Sequence, residues 1–494
     1  MKKTNVLFAA SECVPFIKTG GLADVAGSLP KYFDTEKYDV RVMMPKYTCI
    51  KESLREKMEY VTHFYTGFCW RDQYVGLYQL KLDGVLFYFI DSEFYFNGSW
   101  PYSNVYDDIE KFSFFSRMVL SVLPLLDWKP DIIHCHDWQT GLIPVYLNDS
   151  FQGDLYYHHM KTIFTIHNLK FQGTWDVRTM MEKTGLSGYY FTPDKLEAYG
   201  NGNMLKGGLV YADRITTVSD TYAEEIKTPF YGEGMDGLLR AKAGSLRGIV
   251  NGIDTDFYNP EKDTDIAKTY SIKTALKGKA ANKEALQEEL GLEKKPDAFM
   301  VGIVSRLTDQ KGFDLIDCVM HEICDLPNIQ VVILGTGEKR YEDMFRYYAS
   351  LYPGKVSANI YYSEALSHRI YAGCDAFLMP SLFEPCGLSQ LMSLRYGTLP
   401  IVRETGGLKD TVEAYNEITN EGTGFSFRNY NAHEMLGIIR YAKHVYENQR
   451  TNWDEMVVRA MKQDFSWAAS AKKYQALYDE LMEEKIVEET PADL

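Results

Sequence analysis

Lys18, Gly20 and Gly21 follow a short apolar run, Val6-Leu7-Phe8-Ala9-Ala10, which reads as a buried strand. Lysine brings a compact positive charge, and paired glycines let backbone N–H groups come close to a charged oxygen. A strand that runs through such a turn into a helix is a place to hold an anion. A plain strand-to-helix turn with a surface lysine has the same local pattern. A second set, Ser305-Arg306-Leu307-Thr308-Asp309-Gln310-Lys311-Gly312, follows the apolar run 299–304. Arg306 can fork onto two phosphate oxygens while Lys311 adds a point charge, although a solvated basic loop would read alike. A third piece, Glu384-Pro385-Cys386-Gly387-Leu388-Ser389-Gln390, lies between a strand-like run at 376–380 and a helical pattern from Gln390. A carboxylate at Glu384 can accept hydrogen bonds from sugar hydroxyls, and the Gly387 and Leu388 amides would open a helix facing another anion. Its plainer reading is a capping turn with a surface glutamate.

These residues need elements to position them. Apolar runs recur at 5–10, 39–44, 85–90, 131–135, 162–166 and 214–218, and again at 299–304, 329–334, 358–361, 375–379 and 399–402, with helical patterns between them. The alternation predicts two α/β domains, each a parallel sheet with helices on both faces. A polar, lysine-rich stretch at 261–295 separates the two halves, and the first boundary is expected near Gly252. Residues 466–484 read as a closing helix capped by Ser466, followed by an acidic tail at 486–494. Ligands in open α/β sheets bind beyond the carboxyl ends of the strands, so the cleft between two such domains is the expected site.

Composition narrows the function classes. The 494 residues carry a net charge of −15, with 45% hydrophobic and 24% charged residues, as in a globular protein without a basic surface for nucleic acid or anionic membrane. No apolar run approaches the length of a membrane span, and the run after Lys2-Lys3 is too short for a signal sequence. Eight cysteines without a C-x-x-C pair point to reduced thiols and a cytoplasmic location.

Taken together, the motifs resemble the bacterial glycogen synthases and plant starch synthases, retaining glucosyltransferases of glycosyltransferase family 5. The resemblance is carried by KTGGLADV at 18–25, HCHDWQTGLIP at 134–144, TIHNLKFQG at 165–173, TTVSDTYAEEI at 216–226 and NGIDTDFYNP at 251–260. It continues through VSRLTDQKGFDLI at 304–316, YSEALSHRIYAGCDAFLMPSLFEPCGLSQ at 362–390, ETGGLKDTV at 404–412 and FSWAASAKKYQALY at 465–478. It implies the GT-B architecture, two Rossmann-like doubly wound domains facing across a cleft. Residues 1–252, completed by a helix at 466–494, would form the acceptor side, and residues 253–465 the nucleotide-sugar side.

The implied reaction transfers glucose from ADP-glucose to the 4-hydroxyl at the non-reducing end of an α-1,4-glucan. The donor is a substrate, and no cofactor, metal, nucleic acid or membrane is implied. By resemblance, Arg306 and Lys311 would stabilise the leaving phosphate, with Lys18, Gly20 and Gly21 on the opposite wall. His167 would turn its backbone carbonyl to the anomeric carbon, and Glu384 would hold sugar hydroxyls. Tyr362 would stack on the base; Thr405 and Gly406 would contact phosphates, beside Cys386, Gly387 and Leu388. Asp137, Asn168, Asn251 and Asp24 are candidates on the sugar and acceptor side. Related families often carry a second glutamate eight positions after the first, where this chain has Met392. A carboxylate pair for double displacement is therefore not expected, which favours a front-face mechanism.

Other motifs lead elsewhere. His134-Cys135-His136-Asp137 has metal-ligand residue types, yet no further Cys/His set completes it. Asp254-Thr255-Asp256 reads as a turn, and Gly335-Thr336-Gly337-Glu338 is too short for a dinucleotide fingerprint. Competing readings are a transferase of the same fold using UDP-glucose or another acceptor, and a glucan-binding protein without activity. No segment matches the pyridoxal phosphate lysine of a phosphorylase.

Overall fold

The computed structural model describes residues 3–489, with side chains to residue 485. The chain divides into two compact units. The first gathers the chain up to Val218, Ala223–Ile249 and the chain from Trp467; the second comprises Ser219–Tyr222 and Val250–Ser466. The second unit thus begins a little before the expected boundary and borrows a four-residue piece. Hydrogen bonds explain the loan. Ser219 Oγ donates to the Pro385 carbonyl at 2.7 Å, and the Thr221 amide donates to Asp410 Oδ2 at 2.9 Å.

The first unit is built on a nine-stranded sheet. Its order is Leu246–Gly248, Arg214–Thr217, Lys161–Ile166, Ile132–His136, Thr4–Ala9, Tyr38–Pro45, Val85–Asp91, Arg71–Leu82, Glu59–Phe68. The strands Thr4–Ala9, Ile132–His136 and Lys161–Ile166 are apolar and almost fully buried, the pattern of parallel strands covered on both faces. The sheet is not parallel throughout. Glu59–Phe68 and Arg71–Leu82 form an antiparallel hairpin at one edge, with Phe68 opposite Arg71. Their mixed polar and aromatic residues hide them from a search for apolar runs. A separate three-stranded sheet joins Thr174–Asp176, Asn201–Asn203 and Glu197–Ala198.

The closing helix runs Trp467–Glu489, longer than the expected 466–484; beyond it, the remainder of the expected acidic tail lies outside the described residues. It packs on the first unit. Tyr478 stacks on Phe33 with ring centres 5.4 Å apart, its hydroxyl meets His134 Nδ1 at 2.8 Å, and Lys485 pairs with Asp131 at 3.2 Å.

The second unit holds a six-stranded sheet in the order Val356–Asn359, Ile329–Leu334, Phe299–Val304, Ala376–Met379, Leu399–Arg403, Phe425–Phe427, every pairing parallel. One continuous core of these strands and their helices includes Phe299, Ile316, Val332, Phe377, Ile401 and Trp453.

Both sheets change direction at their centre. In the first, the chain moves from Thr4–Ala9 outward to one edge, then returns to Ile132–His136 and builds the other. In the second, the same reversal falls between Phe299–Val304 and Ala376–Met379. Loops leaving the carboxyl ends of adjacent strands part at such a point and leave a crevice.

Candidate functional site

In the second unit the reversal point is a cavity of about 140 Å³, lined by Arg306, Lys311, Ser381, Glu384, Gly387 and Leu388 among others. Lys311 Nζ lies 2.6 Å from Glu384 Oε2, and Ser381 Oγ donates to the same oxygen at 3.0 Å. Glu384 is only 5% exposed, yet its Oε1 has no partner among the described residues and remains available to a ligand. The Arg306 side chain is exposed and takes no ion-pair or hydrogen-bond partner among the described residues. An unpaired guanidinium beside an ammonium is a ready phosphate site.

Backbone geometry holds these two loops together. Leu382 N donates to the Gln310 carbonyl at 2.9 Å, and Gln310 Nε2 donates to the Phe383 carbonyl at 3.2 Å. Gly312 has φ 74°, and a Cβ there would meet the Pro380 carbonyl oxygen at 2.1 Å. Gly406 has φ 45° and passes so close to the Glu384 carbonyl that a Cβ would lie 1.9 Å from its oxygen. Gly406 and the buried Thr405 therefore back the Glu384 loop. Gly335 and Gly337, set aside as a dinucleotide motif, let their strand end approach Ser305 and Leu307 just as closely. They buttress the turn that carries Arg306.

Three of the remaining candidates in this unit lie outside the cavity lining. Tyr362 is 80% exposed beyond the strand Val356–Asn359. Cys386 is buried, burial pushes its thiol up to about 12, and the Asn251 backbone reaches its sulfur. That is an inert thiol. Asn251 itself is 5% exposed, and its Oδ1 has no partner among the described residues. Met392 packs against the core, so the helix Ser389–Arg395 brings no second carboxylate from that position. Sequence reasoning missed Arg403, whose guanidinium donates to the Ser381 carbonyl at 2.7 Å and to the Leu382 and Arg428 carbonyls, and so fixes the start of the Glu384 loop. Its position directly before Glu404-Thr405-Gly406 was the available signal.

In the first unit Lys18 and Asp24 form one group and Asp137, His167 and Asn168 another, with Glu12 close enough to feel both Asp24 and Asp137. Lys18 pairs with Asp24 at 2.8 Å, so Asp24 tunes the lysine within its own loop. Asp137 has φ 57°, a costly conformation for a residue with a side chain. Its Oδ1 accepts the His167 amide at 2.7 Å and the Asn168 amide at 3.4 Å. Burial pushes this carboxyl up to about 7. The His167 carbonyl accepts no hydrogen bond among the described residues. Asn168 Oδ1 accepts the Lys170 amide at 3.1 Å, which shapes the loop that follows.

The HCHD segment is a packed histidine cluster. The His134 and His136 rings stack 4.3 Å apart, and His136 Nδ1 faces His167 Nε2 at 3.0 Å. Burial lowers His134 and His167 to about 3 and His136 well below its ordinary value, so all three are neutral at physiological pH. The D-x-D segment is a turn, with Asp254 Oδ1 accepting the Asp256 and Phe257 amides at 2.9 and 3.0 Å. Sequence reasoning also missed Glu12. It is 3% exposed and accepts the Thr19 amide at 2.5 Å.

A cavity at a sheet reversal point, bearing an unpaired guanidinium beside an ammonium, fits a nucleotide-sugar enzyme. Residues 5–241 match the family model described as starch synthase catalytic domain, and residues 282–456 match that of glycosyl transferases group 1. The glycogen synthase of Lachnospira eligens is 66% identical over 477 residues, spanning 97% of this chain and 100% of that protein. The chain belongs to glycosyltransferase family 5, the glycogen and starch synthases. The family's glycogen synthase from Geobacillus stearothermophilus is 52% identical over 481 residues, covering 97% of this chain and 98% of that one. Among solved structures, the catalytic domain of starch synthase IV from Arabidopsis thaliana, bound to ADP and acarbose, superposes with a TM-score of 0.89 at 32% identity. That match covers 97% of this chain and 99% of the other. The sucrose-phosphate synthase of Thermosynechococcus elongatus, at 15% identity and a TM-score of 0.62, shares the fold. With two such units, this family member has the GT-B architecture.

Proposed function

We propose that the chain is a glycogen synthase that transfers glucose from ADP-glucose to the non-reducing 4-hydroxyl of an α-1,4-glucan with retention of configuration. The observation that carries this reading is the cavity in which unpaired Arg306 stands beside the Lys311–Glu384 pair. The ADP in the starch synthase IV structure supports the donor.

Departure of the nucleotide diphosphate leaves an oxocarbenium-like sugar. Arg306 and Lys311 would take up the charge growing on the leaving phosphate, which is worth most in a site shielded from water. Glu384 would orient Lys311 through Oε2 and accept a sugar hydroxyl through Oε1. The unengaged His167 carbonyl would present a negative oxygen to the anomeric carbon. Lys18, Gly20 and Gly21 would contact phosphate oxygens, Thr405, Gly406, Gly387 and Leu388 would complete the donor side, and Tyr362 would stack on the base. Asp137, Asn168, Asn251 and Asp24 would serve the sugar and acceptor. With Met392 where a second glutamate would stand, departure and attack on one face of the sugar is the favoured route. Eight unpaired cysteines support a cytoplasmic location.

The test is nucleotide release from ADP-glucose and, separately, UDP-glucose, with and without glycogen primer. Primer-dependent ADP release with glucose incorporation is expected. Preference for UDP-glucose would overturn the donor, and glucan binding without release from either would overturn catalysis.

A further inference from the structure

Glu12 lies just past the strand Thr4–Ala9, where the chain backbone is anchored from two sides. Tyr47 donates to the Ser11 carbonyl at 2.8 Å, and Ser11 Oγ meets the Tyr102 hydroxyl at 2.9 Å. The Ala10 amide continues the ladder onto the Met43 carbonyl at 3.1 Å. From this fixed base the Glu12 carboxyl reaches seven residues along the chain. Its Oε2 accepts the Thr19 amide at 2.5 Å, and the Thr19 hydroxyl and the Gly20 amide also interact with it. Glu12 therefore occupies the amide between Lys18 and Gly20 that a ligand oxygen would otherwise compete for.

A glycine-rich turn without such a tie samples many backbone conformations. A ligand that binds one of them loses affinity in proportion to how rarely it is populated. We infer that Glu12 is a positioning residue: through Thr19 and the Gly20 amide it holds the Lys18–Gly21 turn in the one conformation that presents the Lys18 charge and the Gly21 amide to the donor phosphates. The inference rests on the reading of that turn as a donor contact. The carboxyl acts on the loop and not on the reacting atoms, so its loss weakens donor binding more than the chemical step.

Three full-length variants separate this role from general stability. Glu12→Gln keeps an acceptor oxygen at the same reach. Glu12→Asp keeps the carboxyl but falls one methylene short. Glu12→Ala removes both. Leaving the Thr19 amide without its acceptor should raise KM for ADP-glucose about tenfold or more in the Asp and Ala variants, with kcat changed much less. The Gln variant should stay within about threefold of the parent, since its amide oxygen replaces the acceptor. Hydrogen exchange of the peptide containing Thr19 and Gly20 reads the hold without any substrate. Exchange should be fast in Asp and Ala and slow in the parent and Gln. Parent-like KM or exchange in Glu12→Asp would overturn the inference, whether or not Glu12→Ala folds. Slow exchange in the parent but no glucose transfer would instead overturn the proposed function and leave the hold intact.

Discussion

The Lys311–Glu384 pair is where the site can be tested as a unit. Its atoms are 2.6 Å apart, with the side chains 17% and 7% exposed. On the proposed reading Lys311→Met removes positive charge from the leaving phosphate, and it leaves Glu384 with only the Ser381 hydroxyl. Glu384→Gln removes the negative partner that orients Lys311 and weakens the acceptor Oε1. A positioned charge of this sort is worth about 10²–10³ in turnover, so we assign ~10²-fold to Lys311→Met and ~10³-fold to Glu384→Gln. Were the two independent, the double variant would lose ~10⁵-fold. Each single change already spoils the partner, however, so the double should lose only ~10³-fold. The missing ~10² corresponds to a coupling of about 2.7 kcal/mol, within the range for residues in direct contact. The assay is kcat/KM for ADP-glucose with saturating glycogen on all four proteins, with ADP affinity measured separately to check that the site still forms. A fully multiplicative double variant would refute the pairing and make Lys311 and Glu384 separate actors.

Arg306→Ala should lower kcat/KM by about 10²-fold with little change in melting temperature, because the side chain is exposed and holds no partner that its loss would orphan; a stability loss without a kinetic one would move it out of the site. Gly406→Ala would press a methyl group onto the Glu384 carbonyl, 1.9 Å away, and displace the loop; turnover should fall on the order of 10²-fold, the cost of a misplacement near 1 Å, and wild-type kinetics would contradict the close approach. Asp137 sets a pH dependence. Its carboxyl is raised from 3.8 to about 7, so the stability it contributes is present at low pH and lost as pH rises towards 7. Asp137→Asn should therefore gain stability relative to the parent between about pH 4 and 7, by at most about 4 kcal/mol, as read by thermal melting across pH; a difference independent of pH would rule this out. Cys386, with its buried thiol at about 12, should resist alkylation in the folded protein and react only on unfolding, as mapped by mass spectrometry.

The histidine cluster works against Asp137. His134, His136 and His167 are all depressed, so their contribution is present above the ordinary histidine range and lost as pH falls towards 3. The carboxyls of Asp137 and of Glu12, which burial likewise pushes up to about 7, weaken the first unit from the alkaline side and the histidines from the acid side. The two slopes oppose each other between about pH 4 and 6.5, so removing either set exposes the other.

What could be read in the sequence and what could not divides along a physical line. The parallel strands were legible because burial on both faces demands nearly continuous apolar runs, which Phe299–Val304 supplies throughout and Ile329–Leu334 breaks only at the buried Gln330. The hairpin Glu59–Leu82 was not, because a sheet edge tolerates Thr62, His63 and Gln73 among its aromatics. Lys18, Arg306, Lys311 and Glu384 stood out as candidates because each sits in a loop whose glycines mark a close backbone approach. Glu12, Ser381 and Arg403 were not, because each acts through a partner that only folding brings near: Thr19 across the turn, Glu384 across its own loop, and the carbonyls of Ser381 and Leu382 from a neighbouring strand. Residues proposed to touch ligand leave a local signature, since a ligand would constrain the backbone around them. Residues that hold those residues in place leave none, since any acceptor or donor at the right point of the fold would serve. The hidden positioning groups therefore gather at carboxyl strand ends near the reversal points, Arg403 on the strand next to the central pair of the second sheet. Glu12 and Ser381 stand just past the ends of two of the central strands.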